Sequence, residues 1–383
     1  MTRPAGARIV MMHKLRRDLM AMTAMCCIRT VRMAEAFARM GHRVDIPVQD
    51  TEVVERSPGV RHVPLAGLDW DAYDVVKAEF HAGFDRVARF RGADHPFLVV
   101  KFGSLVGPPG TPGVYFFGET WEALAATQRA IAERARYVTI LTEPSADLWR
   151  SQYGTGIPVL MVPTGVDAVI PAPRTDPYAA LGLSGRAVLF AGNIYTDQQR
   201  EVNLVWQDRL NRLGRALQRR GLTLVAMGPG YTDRIDHDAV RHVGALPVEE
   251  TWDWQRGAVA GVVLAHGPGQ HNESSKIYSY LRTGLPVLCE RPVPNASLVT
   301  ATGCGAVVDL DDVEALAAAA EDLAIRRPRF DDVADWTARE HSWDERAARY
   351  APVLAEAVTA RRDRPPRRAV RSDGLPTADG DAA

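Results

Sequence analysis

The chain has 383 residues, of which 46% are hydrophobic and 24% charged, and its formal net charge at pH 7 is −1. This length exceeds one ordinary core and suits two domains of about 150–200 residues. A charge so close to zero gives no overall attraction to nucleic acid, so we predict no nucleic-acid partner. No apolar run approaches the roughly 18 residues that a membrane helix needs.

Two further features point to a cytoplasmic protein. Basic residues interrupt the first apolar stretch at Lys14, Arg16 and Arg17, which is not the pattern of a signal peptide. The four cysteines show neither zinc spacing nor a disulfide framework: Cys26, Cys27, Cys289 and Cys304. We therefore expect reduced, mostly buried thiols.

The first half of the chain alternates between strand and helix patterns. Residues 8–12 predict a strand, residues 23–40 a helix that stops at Gly41, and residues 43–48 a second strand. Shorter apolar runs follow at 74–77, 97–101, 113–117, 137–141 and 159–162, with a helical segment at 121–135. This alternation is typical of a doubly wound parallel sheet.

A proline-rich break at 170–177 separates this half from a second one of similar design. Strands are predicted at 187–191, 222–227, 240–243, 261–265 and 286–289, with a long helix at 199–219. The sequence thus predicts two Rossmann-like α/β domains facing a central cleft, at 1–170 and 181–340, joined by a linker at 171–180. Residues 341–360 would form a closing helix, and residues 361–383 a disordered tail.

Small loops follow the predicted strands of the second half. They contain Gly192-Asn193, then Gly228-Pro229-Gly230, then Gly244-Ala245-Leu246, and finally the segment from His266 to Glu273 that includes His271. Open parallel sheets bind ligands beyond the carboxyl ends of their strands, so these loops are expected to converge on one site.

The segment from Glu273 to Val287 is the most informative motif. Ser274 and Ser275 lead into a short predicted helix in which Lys276 lies about one turn from the start. Backbone N–H groups and the dipole make a helix start suitable for phosphate, and Lys276 would add a full charge. Gly284 and Pro286 then form a tight turn into a buried strand.

This motif resembles the donor site of GT-B glycosyltransferases, above all family 4 and its relatives. The resemblance runs from Arg8 to about Tyr350. It implies that Glu273, Ser274, Ser275, Lys276 and Ser279 surround the ribose and diphosphate of a nucleotide sugar. The loops of Gly228, Pro229, Gly244 and Leu246 would flank the base, and a closing helix beginning near Trp343 would cross back to the first domain.

The sequence departs from the family pattern at the donor site. The positions of two glutamates usual in family 4 hold His271 and Ser279, with Glu273 displaced by two. The family also usually has an arginine and a lysine after the first strand of the second domain, whereas here Asn193 follows that strand. The nearest cation after that strand is Arg200, and Arg16 or Arg17 could assist Lys276 across the cleft. These departures leave open whether the anomeric centre is retained or inverted.

Candidate catalytic residues lie in the first domain. His81 follows a strand end and could contact the reacting sugar or act as a base, and Glu119 could deprotonate an acceptor hydroxyl. Both also have ordinary interpretations, as a hydrogen-bonded histidine and as a helix-start carboxylate. No clustered Asp-x-Asp motif predicts a metal, so we expect a metal-independent reaction and no cofactor beyond the nucleotide sugar.

The favoured hypothesis is a glycosyltransferase of the hexosyl or deoxysugar type, using a UDP-, GDP- or dTDP-sugar and a small-molecule, glycan or lipid-linked acceptor. A non-catalytic binding or activator protein of the same fold is the alternative. A dinucleotide-dependent oxidoreductase is disfavoured, because no Gly-x-Gly-x-x-Gly turn follows the first strand. The amphipathic strip at residues 13–25 and the basic tail at 361–368 would suit weak contact with the inner membrane face.

Overall fold

The structure is a computed structural model that describes residues 6–13, 19, 22, 24–49, 52–90, 94–108, 121–194, 200–267 and 269–362. Within residues 200–204 only the helical backbone is described. The predicted strand at 113–117, Glu119, Arg16, Arg17 and the tail from residue 363 lie outside the described residues.

The first domain is built on an eight-stranded sheet. Its strands are β1 (Arg8–Met12), β2 (Arg43–Val48), β3 (Val54–Ser57), β4 (Val60–Pro64), β5 (Val75–Glu79), β6 (Leu98–Lys101), β7 (Tyr137–Ile140) and β8 (Val159–Met161). They lie in the order β3-β4-β2-β1-β5-β6-β7-β8. All neighbours are parallel except β3 and β4, an antiparallel edge pair that the sequence analysis did not predict.

Four helices connect these strands: α1 (Met25–Arg39), α2 (Phe80–Arg89), α3 (Trp121–Arg134) and α4 (Glu143–Tyr153). The end of α1 follows its sequence signal, because Gly41 adopts a φ of 95° that L side chains rarely reach. The start of α4 is capped by Thr142, whose hydroxyl accepts a hydrogen bond from Ser145 N. Apolar residues from both faces of the sheet are buried, as expected for parallel strands covered by helices.

The second domain has a six-stranded, fully parallel sheet. Its strands are β9 (Ala187–Ala191), β10 (Thr223–Met227), β11 (Val240–His242), β12 (Ala260–Val263), β13 (Val287–Glu290) and β14 (Gly305–Val308), in the order β11-β10-β9-β12-β13-β14. The covering helices are α5 (Arg200–Gln218), α6 (Val248–Gly257), α7 (Ser275–Arg282), α8 (Ala296–Thr302), α9 (Val313–Arg326) and α10 (Asp331–Glu340). The predicted fold class, two doubly wound α/β domains, is therefore confirmed.

The chain returns to the first domain through α11 (Trp343–Ala348) and α12 (Ala351–Arg362). Trp343 lies against Gly165, where an added Cβ would come within 2.6 Å of the indole ring. Apolar residues of α12, among them Leu354, join the core that contains Ile9 and Phe37. None of the described helices has both the length and the apolar character needed to cross a membrane.

Candidate active site

In each sheet, the order of the strands reverses at one pair of neighbouring strands, and later strands are added on opposite sides of that pair. In the second domain this happens between β9 and β12, with β10 and β11 on one side and β13 and β14 on the other. In the first domain it happens between β1 and β5. The loops at the carboxyl ends of such strands diverge and leave a crevice, so these two places are where a ligand fits an open α/β sheet.

Backbone hydrogen bonds join three of the predicted loops at the crevice of the second domain. Gly192 N donates to Met227 O, Gly228 N donates to Gly244 O, and Ile194 N donates to Pro229 O. Gly228 has a φ of 146°, and a Cβ there would overlap Gly192 O. The glycines therefore allow three backbone segments to pack without side chains between them.

Lys276 lies directly on this glycine surface. Helix α7 begins at Ser275, so Lys276 is its second residue and stands closer to the helix start than the sequence suggested. A Cβ on Gly192 would lie 2.8 Å from Lys276 Nζ, and Nζ sits 5.2 Å from the centroid of the Phe190 ring. Among the described residues, no carboxylate forms an ion pair with this ammonium group.

Burial lowers the pKa of Lys276 to about 8. An ammonium held above an aromatic ring but without a paired anion is stabilised only weakly, since one exposed cation–π contact contributes about 0.5–1 kcal/mol. A bound anion would provide the missing partner. The group is thus suited to receive negative charge near neutral pH.

The start of α7 is held by Asn295. Its side-chain Oδ1 accepts a hydrogen bond from Ser274 N at 2.8 Å, and its Nδ2 donates to Ser274 O at 3.0 Å. This fixes the entry of the chain while the next N–H groups, of Ser275 and Lys276, have no acceptor within the helix. Such N–H groups, together with the helix dipole, complete an anion site beside the Lys276 ammonium.

Three other predicted donor residues lie around this centre in different states. The Ser279 hydroxyl donates to Gln255 Oε1 of α6 at 2.9 Å. Leu246 packs on the core of the second domain, and the Asn193 side chain is exposed. Asn193 therefore lies at the mouth of the crevice, whereas the Ser279 hydroxyl is held by a hydrogen bond within the second domain.

His271 and Glu273 belong to a loop that docks on the first domain. His271 O accepts a hydrogen bond from Ser145 Oγ at 2.9 Å and another from Thr142 Oγ1. Asn272 Nδ2 donates to Ser104 Oγ at 2.9 Å. Burial lowers the pKa of His271, so its imidazole is neutral near pH 7.

The Glu273 carboxylate spans the two domains. Its Oε1 accepts a hydrogen bond from Thr164 N at 2.5 Å, and its Oε2 accepts one from Tyr278 OH at 2.9 Å. Burial raises the pKa of this carboxyl, opposed by these hydrogen bonds and by Arg29. Both oxygens are thus engaged in fixing the cleft.

His81 packs inside the first domain. Its Nε2 is 3.2 Å from Gln128 Oε1 of α3, and its ring makes an edge contact with Phe102. Burial lowers the pKa of His81. The side chain is nine-tenths buried against α3, which corresponds to the ordinary interpretation of a hydrogen-bonded histidine.

The sequence analysis missed a charged cluster at the crevice of the first domain. Lys77 lies in the middle of β5 and Glu79 ends it, Lys101 ends β6, and each is at most 2% exposed. The scarcity of lysine in the sequence could have drawn attention to this cluster. Only four of the 46 Lys and Arg residues are lysines, and the three that the structure describes, Lys77, Lys101 and Lys276, all lie at the cleft.

Two further residues that the sequence did not single out lie beside Lys276. Arg209 of α5 is buried, donates to Ala265 O at 2.5 Å, and pairs with Glu290 and Asp311. His266 follows β12 and has its pKa lowered to about 4 by burial, by Lys276 and by Arg209. The charge of Arg209 is therefore balanced by carboxylates, and the His266 imidazole is neutral near pH 7.

Comparison with solved structures matches the chain over almost its whole length. Sucrose-phosphate synthase from Thermosynechococcus elongatus shares 16% identity, with 93% of this chain and 98% of that chain covered and a TM-score of 0.63. The Anabaena protein HepE, solved with UDP and glucose, shares 12% identity, with 91% and 100% covered and a TM-score of 0.66. The chain has the GT-B glycosyltransferase fold.

WaaG, a glycosyltransferase of lipopolysaccharide biosynthesis, is a further GT-B neighbour, at 15% identity, 92% and 98% coverage and a TM-score of 0.58. No family model and no curated protein sequence matches the chain. The GT-B fold expected from the motif of Lys276 is therefore confirmed by structure, while the sequence has diverged far from these neighbours.

Proposed function

We propose that this GT-B protein transfers a sugar from a nucleoside diphosphate to an acceptor. The observation that carries the proposal is the position of Lys276. Its ammonium lies at the start of α7, without a paired carboxylate among the described residues, and on the glycine surface formed by the loops of β9, β10 and β11. This arrangement fits a diphosphate on the ammonium and a nucleoside along the glycine loops.

In the reaction, the bond between the anomeric carbon and the diphosphate oxygen breaks, and a bond from an acceptor nucleophile to that carbon forms. Negative charge then develops on the leaving diphosphate. Lys276 and the N–H groups at the start of α7 would stabilise this charge, and preorganised donors of this kind usually make the largest contribution to such catalysis. The acceptor loses its proton to a base or to the leaving phosphate.

The loop at residues 271–273 connects the two domains across the cleft. Its contacts with Ser104, Thr142 and Ser145 hold the two domains together on one side of the crevice. A closed cleft excludes water, which otherwise would consume the donor by hydrolysis. We infer that this loop couples donor binding to the position of the first domain.

The decisive experiment is a titration of the purified protein with UDP, GDP and dTDP by calorimetry. UDP is the first choice because HepE was solved with UDP and with UDP-glucose. We expect one diphosphate to bind with a Kd in the micromolar range. Lys276→Met should weaken it about 10–100-fold, the value of one hydrogen bond to a charged group.

Arg291→Met is the matched control, because it removes a cation of the same domain whose side chain is 64% exposed and, within the described residues, forms an ion pair with Asp309 alone. Its effect on the Kd should stay within twofold. If neither the wild type nor Lys276→Met binds UDP, GDP or dTDP at millimolar concentration, the proposal is refuted.

One observation favours the non-catalytic alternative. The positions of the two usual family glutamates hold His271, which is buried, and Ser279, which is hydrogen-bonded to Gln255. Binding of a nucleotide sugar without release of the diphosphate, in the presence of a broad acceptor panel, would support a binding or activator protein. Release of the diphosphate, even by slow hydrolysis, would support the transferase.

A further inference from the structure

The crevice of the first domain contains buried charges that the donor site does not use. Lys77 Nζ pairs with Glu79 Oε1, and Lys77 also lies 5.7 Å from the ring centroid of Tyr350. Lys101, on the neighbouring strand, is 2% exposed, and its Nζ has no hydrogen-bond partner in the part of the chain that the structure describes. This ammonium instead lies 5.0 Å from the centroid of the Phe80 ring.

Lys101 is backed by a residue in an unusual conformation. Phe80 begins α2 with a φ of 65°, a conformation that non-glycine residues rarely adopt. Its ring lies against Gly103, where a Cβ would come within 3 Å of the ring. Strain of this kind persists where the surroundings fix it, and here it places an aromatic face under an ammonium group.

The charges around Lys101 do not balance within the cluster. Facing it are the cations Arg29 and Lys77 and the carboxylates Glu79 and Glu273. Glu79 is already paired with Lys77, and Glu273 accepts from Thr164 and Tyr278. One positive charge therefore lacks a partner.

Arg29 offers a second unused donor in the same place. Its Nη2 donates to Thr164 Oγ1 at 2.8 Å, while its buried Nε has no hydrogen-bond partner among the described residues. Among the charged groups, Arg29 has the largest effect in lowering the pKa of Lys101, after burial itself. Two cations that repel each other in a buried place are stabilised when an anion lies between them.

The choice of lysine supports a role in binding. Apart from the pair of Lys77 with Glu79, the ion pairs among the described residues are made by arginine, and only four of the chain's 46 basic residues are lysines. Lysine presents a compact, strongly hydrated charge whose protonation responds to its surroundings, unlike the guanidinium group. Its use at Lys101, without a partner, is consistent with a site for a ligand.

We propose that Lys101, assisted by Arg29 Nε, forms a subsite for an anionic group of the acceptor, either a carboxylate or a phosphate monoester. The assignment of this anion to the acceptor rests on the proposed function, because the donor diphosphate is assigned to Lys276 in the other domain. The cluster lies at the carboxyl ends of β5 and β6, across the cleft from α7, and Glu273 of the docking loop faces it.

The experiment titrates UDP-saturated protein with inorganic phosphate and, separately, with acetate, using calorimetry and thermal denaturation. We expect one of these anions to bind the wild type at millimolar concentration and to raise its Tm. Lys101→Met should weaken that binding at least tenfold and leave the Kd for UDP within twofold. Arg291→Met, the surface control, should change neither.

The few lysines allow a direct readout if Lys101→Met folds poorly. Reductive methylation with labelled formaldehyde gives each modified lysine one NMR signal. The variants Lys14→Arg, Lys77→Arg and Lys276→Arg assign three of these signals, and the Lys101 signal follows by elimination because the chain has four lysines. The anion should shift the Lys101 signal and leave the Lys276 signal of the UDP-bound protein unchanged. Shifts confined to other lysines would overturn the proposal.

A comparison of UDP-glucuronate with UDP-glucose identifies the source of the anion. If the carboxylate of UDP-glucuronate improves binding to the wild type tenfold and not to Lys101→Met, the subsite belongs to the donor sugar and our assignment to the acceptor is wrong. Absence of any anion effect on the wild type would refute the subsite. Anion binding at Lys101 without any nucleotide binding would leave the subsite standing and refute the proposed function.

Discussion

The side chain of Lys276 crosses directly over the α-carbon of Gly192. A Cβ at position 192 would lie 2.8 Å from Nζ and still closer to Cε. The two residues are far apart in the chain but meet because β9 and β12 are neighbours in the sheet. The absence of a side chain at Gly192 is what allows the ammonium to lie at the crevice.

This contact predicts a specific effect of Gly192→Ala. The added methyl group should push Lys276 away from the glycine surface and weaken diphosphate binding about tenfold or more, measured as the Kd for UDP. Gly156→Ala is the control, since a Cβ there meets nothing within 4 Å and the residue is exposed. Unchanged affinity in Gly192→Ala would show that the lysine position is not required.

The pH dependence of diphosphate binding should report the Lys276 ammonium. Its pKa of about 8 means that the charge is present at pH 7 and is lost as the pH rises through 8. The Kd for UDP should therefore rise above pH 8, by up to about 10–100-fold when the amine is neutral. Calorimetry in buffers of different ionisation enthalpy should show proton uptake on binding near pH 8.

The same group gives a prediction for stability without ligand. An unfolded lysine has a pKa of about 10.4, so between pH 8 and 10.4 the unfolded chain binds more protons at this residue than the folded protein does. The contribution of Lys276 to the free energy of unfolding should therefore grow as the pH rises through that window. Subtracting the Tm profile of Lys276→Met from that of the wild type isolates the effect, and a flat difference would contradict the lowered pKa.

Substitutions of Glu273 should separate its hydrogen bonds from its charge. Glu273→Ala leaves Thr164 N and Tyr278 OH without their acceptor, which costs about 1–3 kcal/mol for each buried group left unpaired. Glu273→Gln keeps an acceptor for Thr164 N and should retain most of the stability. Thermal denaturation of the two variants at pH 7 measures the difference.

The pH profile of the Glu273→Gln variant provides the control. Burial raises the pKa of the Glu273 carboxyl, so the folded state holds its proton more tightly than the unfolded chain. The wild type should lose stability relative to Glu273→Gln as the pH rises above the usual range of a glutamate. The opposite trend would mean that the Arg29 charge outweighs burial.

Removal of metal ions should leave activity unchanged. In the proposed reaction, Lys276 and the helix start supply the positive charge that neutralises the diphosphate. We expect a transferase or hydrolysis rate in excess EDTA within twofold of the untreated rate, with added Mg²⁺ or Mn²⁺ as the comparison. A rate that falls tenfold in EDTA and returns with Mg²⁺ would assign that role to a metal.

Local sequence patterns determined the architecture of this protein. Apolar runs, helical spacing and stop signals such as Gly41 predicted most of the strands and the helices α1, α3, α5 and α7, because these features depend on neighbours within a few residues. The motif around Lys276 identified the helix start that faces the second crevice. The strands β3, β4 and β14 were missed, because each has only four or five residues and gives a short apolar pattern.

The tertiary structure alone decided what the charged residues do. Glu273 reads as a donor ligand in sequence, yet it fixes the cleft because the first domain brings Thr164 to it. His81 reads as a catalytic candidate, yet Gln128 of a distant helix meets it. Lys101 reads as one residue of a buried strand, and only the adjacency of β5 and β6 with α1 and α7 makes its charge stand out. Contacts between segments that are distant in the chain determine which side chains are buried and which charges are paired. The local spacing of residues does not predict these contacts.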